Sequence, residues 1–169
     1  MTGRSHRSMR SFKWYGAVLI LGMLALLFRP AYAVLATCSA SATGVAFGPY
    51  DVFSATPTEA TGDISVSCTG LVVSVLISYD IQLSPGSSGA YSARALVSGP
   101  HSLAYNLYTD SIRTVIWGDG SSGTSTVSDG YALGLFTVTR QYPVYGRIPA
   151  RQNAFVGSYN DTLIVTVNY

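Results

Sequence analysis

Asp161-Thr-Leu-Ile-Val-Thr-Val-Asn-Tyr169 is the stretch that decides the fold, because apolar and polar side chains alternate along it. One face carries Leu163, Val165, Val167 and Tyr169, and the other carries Thr162, Ile164, Thr166 and Asn168. This period of two predicts a half-buried β-strand that closes the sequence. A strand at the edge of a sheet has unpaired backbone N–H and C=O groups, with which another strand can pair. The function therefore depends on what covers this edge.

The same period of two recurs earlier in the chain. Ile64, Val66 and Cys68 alternate with polar residues, as do most apolar positions from 73 to 83. Further strands are predicted at 133–142 and 144–148, separated by Pro143, which lacks an N–H and fits only an edge, a start or a bulge. No helical stripe of ten or more residues follows residue 33. Short strands between Gly, Ser and Pro turns predict an all-β sandwich.

The first 33 residues have the layout of a secretory signal peptide. Four basic residues and no acid occupy positions 1–14, an apolar run covers 15–28, and Arg29-Pro-Ala-Tyr-Ala33 ends in an A-x-A-like cleavage site. A membrane anchor is the alternative, but fourteen apolar residues fall short of the roughly 20 that span a bilayer. The sequence predicts export, cleavage before Val34 and no membrane span in the mature chain.

Removal of the signal peptide reverses the sign of the net charge. Five of the ten basic residues lie before Val34, so five arginines face eight acids in residues 34–169, which gives −3 instead of +2. With no lysine and no basic cluster, the mature chain lacks the charge pattern of a nucleic-acid-binding protein. The 169 residues less 33 leave 136, enough for one domain with its own core.

Both cysteines, Cys38 and Cys68, lie in the exported part. In an oxidising compartment such a pair most simply forms one disulfide, and two free buried thiols are the alternative. A third cysteine and a histidine cluster are both missing from the mature sequence, which argues against a zinc site.

The residue types needed for catalysis are sparse. His101 is the only histidine after the signal peptide and is predicted to be a surface loop residue, not a catalytic base. Asp110, Asp119, Asp129 and Asp161 lie near predicted turns, where aspartate is favoured for local hydrogen bonding. Neither a calcium loop nor a phosphate-binding glycine motif is present, so we expect no enzyme and no cofactor.

Aromatic residues are numerous in the second half of the chain. They either stack on carbohydrate or fill and fringe a sandwich core, and the core interpretation is favoured because aromatics are common in strands. The set comprises Tyr105, Tyr108, Trp117, Tyr142, Tyr145, Phe155, Tyr159 and Tyr169.

Several motifs together resemble a known family. They are Cys38, Phe47-Gly48-Pro-Tyr50, Ile64-Ser-Val-Ser-Cys68, Tyr105-Asn106-Leu-Tyr108-Thr-Asp110, Trp117-Gly118-Asp-Gly120, Tyr145-Gly146-Arg-Ile-Pro149 with Gln152, and Gly157-Ser-Tyr159-Asn-Asp161-Thr162. In order and spacing these residues resemble the spore coat protein U domain, the subunit module of archaic chaperone–usher pili of the Csu type. The resemblance covers nearly all of residues 38–169, and it implies that these motif residues are structural.

The resemblance implies an immunoglobulin-like sandwich that lacks its last strand. Members of the family pass through the periplasm with a chaperone, reach an outer-membrane usher, and assemble on the cell surface when an N-terminal segment of one subunit completes the sheet of another. Such donor-strand complementation is a form of β-strand addition. In this chain the acceptor groove is expected along Leu163, Val165, Val167 and Tyr169.

The sequence departs from the usual subunit at its predicted mature N-terminus. Only Val34-Leu-Ala-Thr37 precedes Cys38, and four residues span about 13 Å, roughly a third of a ten-residue groove. We therefore expect a subunit that accepts a strand without donating one, at an end of the fibre such as the tip. The alternative is a self-contained secreted sandwich that serves as a coat or matrix protein or as a carbohydrate-binding module, with its missing strand supplied from the region 133–148.

Overall fold

The computed structural model describes residues 35–71 and 73–169, so the predicted signal peptide at 1–33 lies outside the described residues. The described residues form nine strands and one 3-10 turn, Tyr91–Ala93. The strands are β1 (Ala36–Thr43), β2 (Thr58–Gly70), β3 (Val75–Leu83), β4 (Ala95–Ser98), β5 (His101–Ala104), β6 (Asn106–Tyr108), β7 (Val127–Leu133), β8 (Thr137–Ile148) and β9 (Val165–Asn168). The prediction of an all-β fold is confirmed.

The strands form two main sheets and a hairpin. One sheet has the order β1-β2-β8-β6, the second has the order β7-β3-β9, and β4 pairs with β5. Each of these strand pairs is antiparallel. Side chains from both sheets meet in one buried core, as in an immunoglobulin-like sandwich. The described part of the chain contains no helix long and apolar enough to cross a membrane.

The longest ladder joins β2 to β8, from Thr58 opposite Ile148 to Thr69 opposite Thr137. Every second residue of β2 from 62 to 70 is buried, as the alternation in the sequence predicts. Pro143 lies inside β8 instead of dividing two strands, which corrects the predicted boundary. β6 pairs with β8 only from Tyr145 to Arg147, so Pro143 has a partner strand on one flank and needs no N–H on the other.

The predicted disulfide is confirmed. Cys38 on β1 and Cys68 on β2 are directly opposite each other, with Cα atoms 4.1 Å apart. The bridge closes a loop between residues separated by 30 positions, which corresponds to about 3–4 kcal/mol in the chain-entropy account. It fixes the first strand to the sheet.

Trp117 and Arg94, the two largest fully buried side chains, both donate hydrogen bonds inside the core. Trp117 is fully buried, and its indole N–H donates to the carbonyl of Ile81 at 3.0 Å. Arg94 is also fully buried and donates to Asn106 Oδ1 at 2.9 Å and to the carbonyls of Ser84 and Trp117 at 2.8 Å each. Because these acceptors are neutral, burial lowers the pKa of Arg94.

Candidate functional site

The terminal strand has a partner on one flank. β9 pairs with β3 through four residue pairs, from Val165 opposite Leu83 to Asn168 opposite Asp80. Within residues 35–71 and 73–169, no other strand pairs with β9. The region 133–148 contributes to β7 and β8, which pair elsewhere, so it does not supply the missing neighbour.

The regular strand is shorter than the nine-residue alternation predicts. Leu163 precedes β9 and Tyr169 follows it. Ile164 instead bonds to Ser84, whose N–H donates to the Ile164 carbonyl at 2.9 Å and whose Oγ accepts from the Ile164 N–H at 2.9 Å. The Ser84 hydroxyl, and not a backbone carbonyl, accepts from the Ile164 N–H. Regular β-pairing therefore begins only at Val165.

The apolar face of this segment is incompletely covered. Leu163, Val165 and Val167 are half-buried, whereas Ile81 and Leu83 on the adjacent β3 are 0% and 3% exposed. Tyr169, predicted to share this face, is 65% exposed. An acceptor role for these four residues remains a prediction, and only Leu163 and Val165 border the groove described next.

A groove of about 350 Å³ opens beside Leu163 and Val165. Its walls come from both sheets and from the end of β1, and they are mainly apolar. They include Ala42, Val45, Ile64, Leu83, Leu107 and Val144. A concave apolar channel next to a free strand flank is the geometry that β-strand addition requires.

A second cavity, of about 900 Å³, adjoins the groove at one end of the sandwich, and we call it the end cleft. The segments 45–53 and 154–161 form most of its wall. Val45, Phe47, Leu96 and Asp161 border both cavities. The exposed apolar residues Phe53, Phe155 and Val156 also line the cleft.

Phe47, Gly48 and Gly146 of the family motifs shape this region. A Cβ atom on Gly146 would lie 2.6 Å from the Phe47 ring, so glycine allows the ring to pack against β8. Gly48 has φ of +70°, a backbone conformation that favours glycine. The Phe47 ring also meets Tyr105 edge-on, with centroids 6.0 Å apart.

Tyr50 and Gln152 tie distant segments together. The Tyr50 hydroxyl donates to the Pro149 carbonyl at 2.8 Å and accepts from the Gln152 N–H at 2.8 Å. The Gln152 side chain bonds to both backbone groups of Ala104 at 2.8 Å each. These two residues hold the chain after β8 against the wall of the end cleft.

The other motif residues also make structural contacts. Asn106 accepts from Arg94, and its amide donates to the Tyr91 carbonyl at 2.9 Å. A Cβ on Gly118 would collide with Thr124, and one on Gly157 would lie 2.6 Å from Ser98 Oγ. The Tyr159 hydroxyl donates to the Phe155 carbonyl at 3.1 Å.

Tyr108 and Tyr145 lie next to arginines around Glu59. Arg147 lies over the Tyr108 ring and Arg113 over the Tyr145 ring, at 6.0 and 5.8 Å from the ring centroids. Both arginines pair with the Glu59 carboxylate at 2.9 Å. These aromatic faces are therefore occupied by side chains of the protein itself.

The burial of the aromatic residues favours the core interpretation for Tyr105 and Trp117, which are 5% and 0% exposed.

His101 begins β5 and stacks on Phe155 with centroids 4.0 Å apart, so its predicted position in a loop is wrong. Asp110 and Asp119 accept hydrogen bonds from residues two to five positions later, as expected for turn aspartates. Among the described residues no His, Cys, Asp and Glu side chains group into a metal site.

The spore coat protein U domain family matches residues 25–166, and the chain belongs to this family. Protein U of Myxococcus xanthus is 34% identical over 131 residues, which cover 73% of this chain and 70% of the relative. The resemblance drawn from the motifs is thus confirmed.

A solved structure shares the fold. It is the CsuC–CsuE chaperone–tip adhesion subunit pre-assembly complex from the archaic chaperone-usher Csu pili of Acinetobacter baumannii, matched at a TM-score of 0.52 and 24% identity. The match covers 80% of this chain and 40% of the matched chain, so this chain spans less than half of that protein's length.

Sequence reasoning missed Arg94 and Ser84, which connect Ile164, just before β9, to the core. The neighbours of Arg94 give no signal of its burial, because Ala93 is exposed and Ala95 is half-buried. Ser84 follows the alternation of β3 and carries no signal of its own. Both bond to backbone groups of residues distant in sequence, which only the assembled fold brings near.

Proposed function

We propose that this protein is a non-enzymatic structural subunit of a chaperone–usher pilus, which accepts a β-strand from a neighbouring subunit along β9. The proposal rests on one flank of β9, which no strand of the described residues pairs with and which lies beside a 350 Å³ apolar groove. Half-buried Leu163 and Val165 would become fully buried under an added strand, which is the driving force for its binding.

We propose three kinds of partner. A neighbouring subunit supplies the strand in the fibre, and before assembly a periplasmic chaperone covers the same edge and delivers the subunit to an outer-membrane usher. The similarity in fold to a chaperone–subunit complex supports the chaperone. The subunit is exported through the periplasm to the cell surface, which agrees with its disulfide.

A terminal position in the fibre is the second part of the proposal. β1 pairs with β2 over eight residues from Ala36 and is bridged through Cys38, so β1 is not available as a donor. Cleavage after Ala33 would leave two residues ahead of β1. The mass of the exported protein tests this, because an N-terminus well before Val34 would restore a donor segment and contradict the terminal position.

A coat protein is the second candidate, favoured by the name of the family and the 34% identity with Protein U. In this role the subunit would coat a cell or spore surface as a sandwich without a foreign strand. The two candidates differ in whether the protein purified from its source carries a strand from another chain. Mass spectrometry after crosslinking of β9 distinguishes them.

Strand acceptance is tested by adding a synthetic peptide of about ten residues that alternates Thr and Val, capped with Lys for solubility. We expect the peptide to bind the oxidised protein 34–169 and to raise its Tm. Val165→Asp, which places a charge in the groove, should weaken binding by about tenfold or more. Thr166→Asp on the opposite, exposed face of β9 is the matched control and should bind like wild type. Failure of the peptide to bind the wild type, with a Tm that does not change, would overturn the proposal.

A further inference from the structure

We infer that the Asp161 carboxylate is a positioning group that holds the segment 160–164 in place, so that the groove along β9 is formed before a strand binds. The inference rests on the proposed strand acceptance and adds a residue that controls it. It starts from the position of Asp161, which borders both the groove and the end cleft.

One carboxylate joins three parts of the chain. Asp161 Oδ1 accepts from the Ser87 N–H at 2.9 Å and from Ser87 Oγ at 2.6 Å, and Oδ2 accepts from the Tyr105 hydroxyl at 2.7 Å. Ser87 belongs to the loop after β3, and Tyr105 lies between β5 and β6. The start of the terminal segment is thereby tied to both.

The residues on either side of Asp161 are tied as well. Asn160 pairs with Val97 of β4 through two backbone bonds of 2.8 and 3.1 Å. Ile164 is bound on both backbone groups by Ser84, whose carbonyl accepts from the buried Arg94. The segment 160–164 is therefore fixed at three points before the β9 ladder begins.

The loop after β3 has a glycine, Gly86, at the point where it approaches Asp161. Gly86 has φ of +77°, and a Cβ on Gly86 would collide with the Asp161 carboxylate. Glycine thus lets the loop approach closely enough for Ser87 to donate twice to Oδ1.

The functional consequence concerns the free protein. Half-buried Leu163 and Val165 gain little from packing alone, so the edge segment would otherwise detach part of the time. A strand binds only the attached form, and its apparent affinity falls in proportion to the detached fraction. Hydrogen bonds to an ionised carboxylate are strong enough to keep the attached form dominant.

Asp161→Asn tests the inference, because it keeps the shape and removes the charge. In the full mature protein we expect amide hydrogen exchange at residues 163–167 to accelerate by about tenfold, while exchange in β2 is unchanged. The alternating Thr-Val peptide should bind about tenfold more weakly. Tyr105→Phe removes one of the donors and should give a smaller effect in the same direction, which keeps the test open if Asp161→Asn does not fold.

Asp119→Asn is the matched control. Asp119 accepts from the Ser121 N–H at 2.9 Å and from Ser121 Oγ at 2.6 Å, the same pattern in a loop that borders neither cavity. It should leave exchange in 163–167 and peptide affinity unchanged. Equal exchange and affinity in Asp161→Asn, Tyr105→Phe and wild type would overturn the inference. A wild type that does not bind the peptide would instead overturn the proposed function, while the exchange measurement still tests Asp161.

Discussion

β2 and β9 carry the same alternation of apolar and polar residues but have different surroundings. β2 lies between β1 and β8, and its Ile64, Val66 and Cys68 are 0–1% exposed. Within the described residues β9 has only β3 beside it, and Val165 and Val167 are half-buried. The pattern in a sequence thus states which face turns inward, whereas the number of neighbours decides how much of that face is covered.

Truncation of one apolar residue in each strand should give the largest difference in stability between β2 and β9. Ile64→Ala should reduce the free energy of unfolding by about 4 kcal/mol, because a fully buried side chain leaves a cavity. Val165→Ala should cost less than about 1 kcal/mol, because water already reaches this position. Urea unfolding of the oxidised protein measures both. Equal losses would show that β9 is as well covered as β2.

Removal of the disulfide, which lies in the sheet of β2, should give the next largest loss of stability. Cys38→Ser with Cys68→Ser should lower the free energy of unfolding by about 3 kcal/mol, because the unfolded chain gains freedom. β9 lies in the other sheet, so peptide binding per folded molecule should persist. Loss of binding in a double variant that remains folded would show that the bridge also shapes the groove.

A pH titration measures how much Asp161, at the start of the β9 segment, contributes to stability. Partial burial acts to raise the pKa of Asp161, but hydrogen bonds from Ser87, Tyr105 and Thr162 outweigh it and hold the pKa below its ordinary value. The contribution of Asp161 to stability is therefore present above the ordinary carboxyl pKa, near 4, and is lost as the pH falls through the lower folded value. The Tm of wild type should fall more steeply below about pH 4 than that of Asp161→Asn. Parallel curves would contradict this.

The smallest effect is expected on the outer face of the β2–β8 ladder. Arg147→Ala removes one of the two arginines that pair with Glu59, and Arg113 remains. Because these side chains are partly exposed, the loss should be below about 1 kcal/mol and should shrink in high salt. A loss well above this value would show that the ion pair is part of the β2–β8 packing.

The sequence was sufficient for features that repeat or that pair locally. Alternation predicts β2 and the inward face of Leu163 and Val165. Export to an oxidising compartment predicts the bridge between Cys38 and Cys68. The sequence predicts a break at Pro143 because the interior of a sheet excludes proline, but β6 is too short to reach Pro143. Such an exception depends on the length of a neighbouring strand, which no local pattern contains.

The candidate site was predicted less completely than the fold. Of the groove wall, alternation indicates only Leu163 and Val165. The end cleft arises where the segments 45–53 and 154–161 meet, about a hundred positions apart. Asp161 appeared in the sequence as one of several turn aspartates. Its distinct role comes from Ser87 and Tyr105, which lie 74 and 56 positions away.

The long β2–β8 ladder gives the molecule a direction. Ala36 begins β1 opposite Gly70, at the pole where β2 ends, while the end cleft lies near Ile148, where β2 begins. Twelve residues at about 3.3 Å separate these poles by roughly 40 Å. Because the two poles are different surfaces, a contact between the pole of one copy and the opposite pole of the next is heterologous. A filament built through such contacts has two ends that differ.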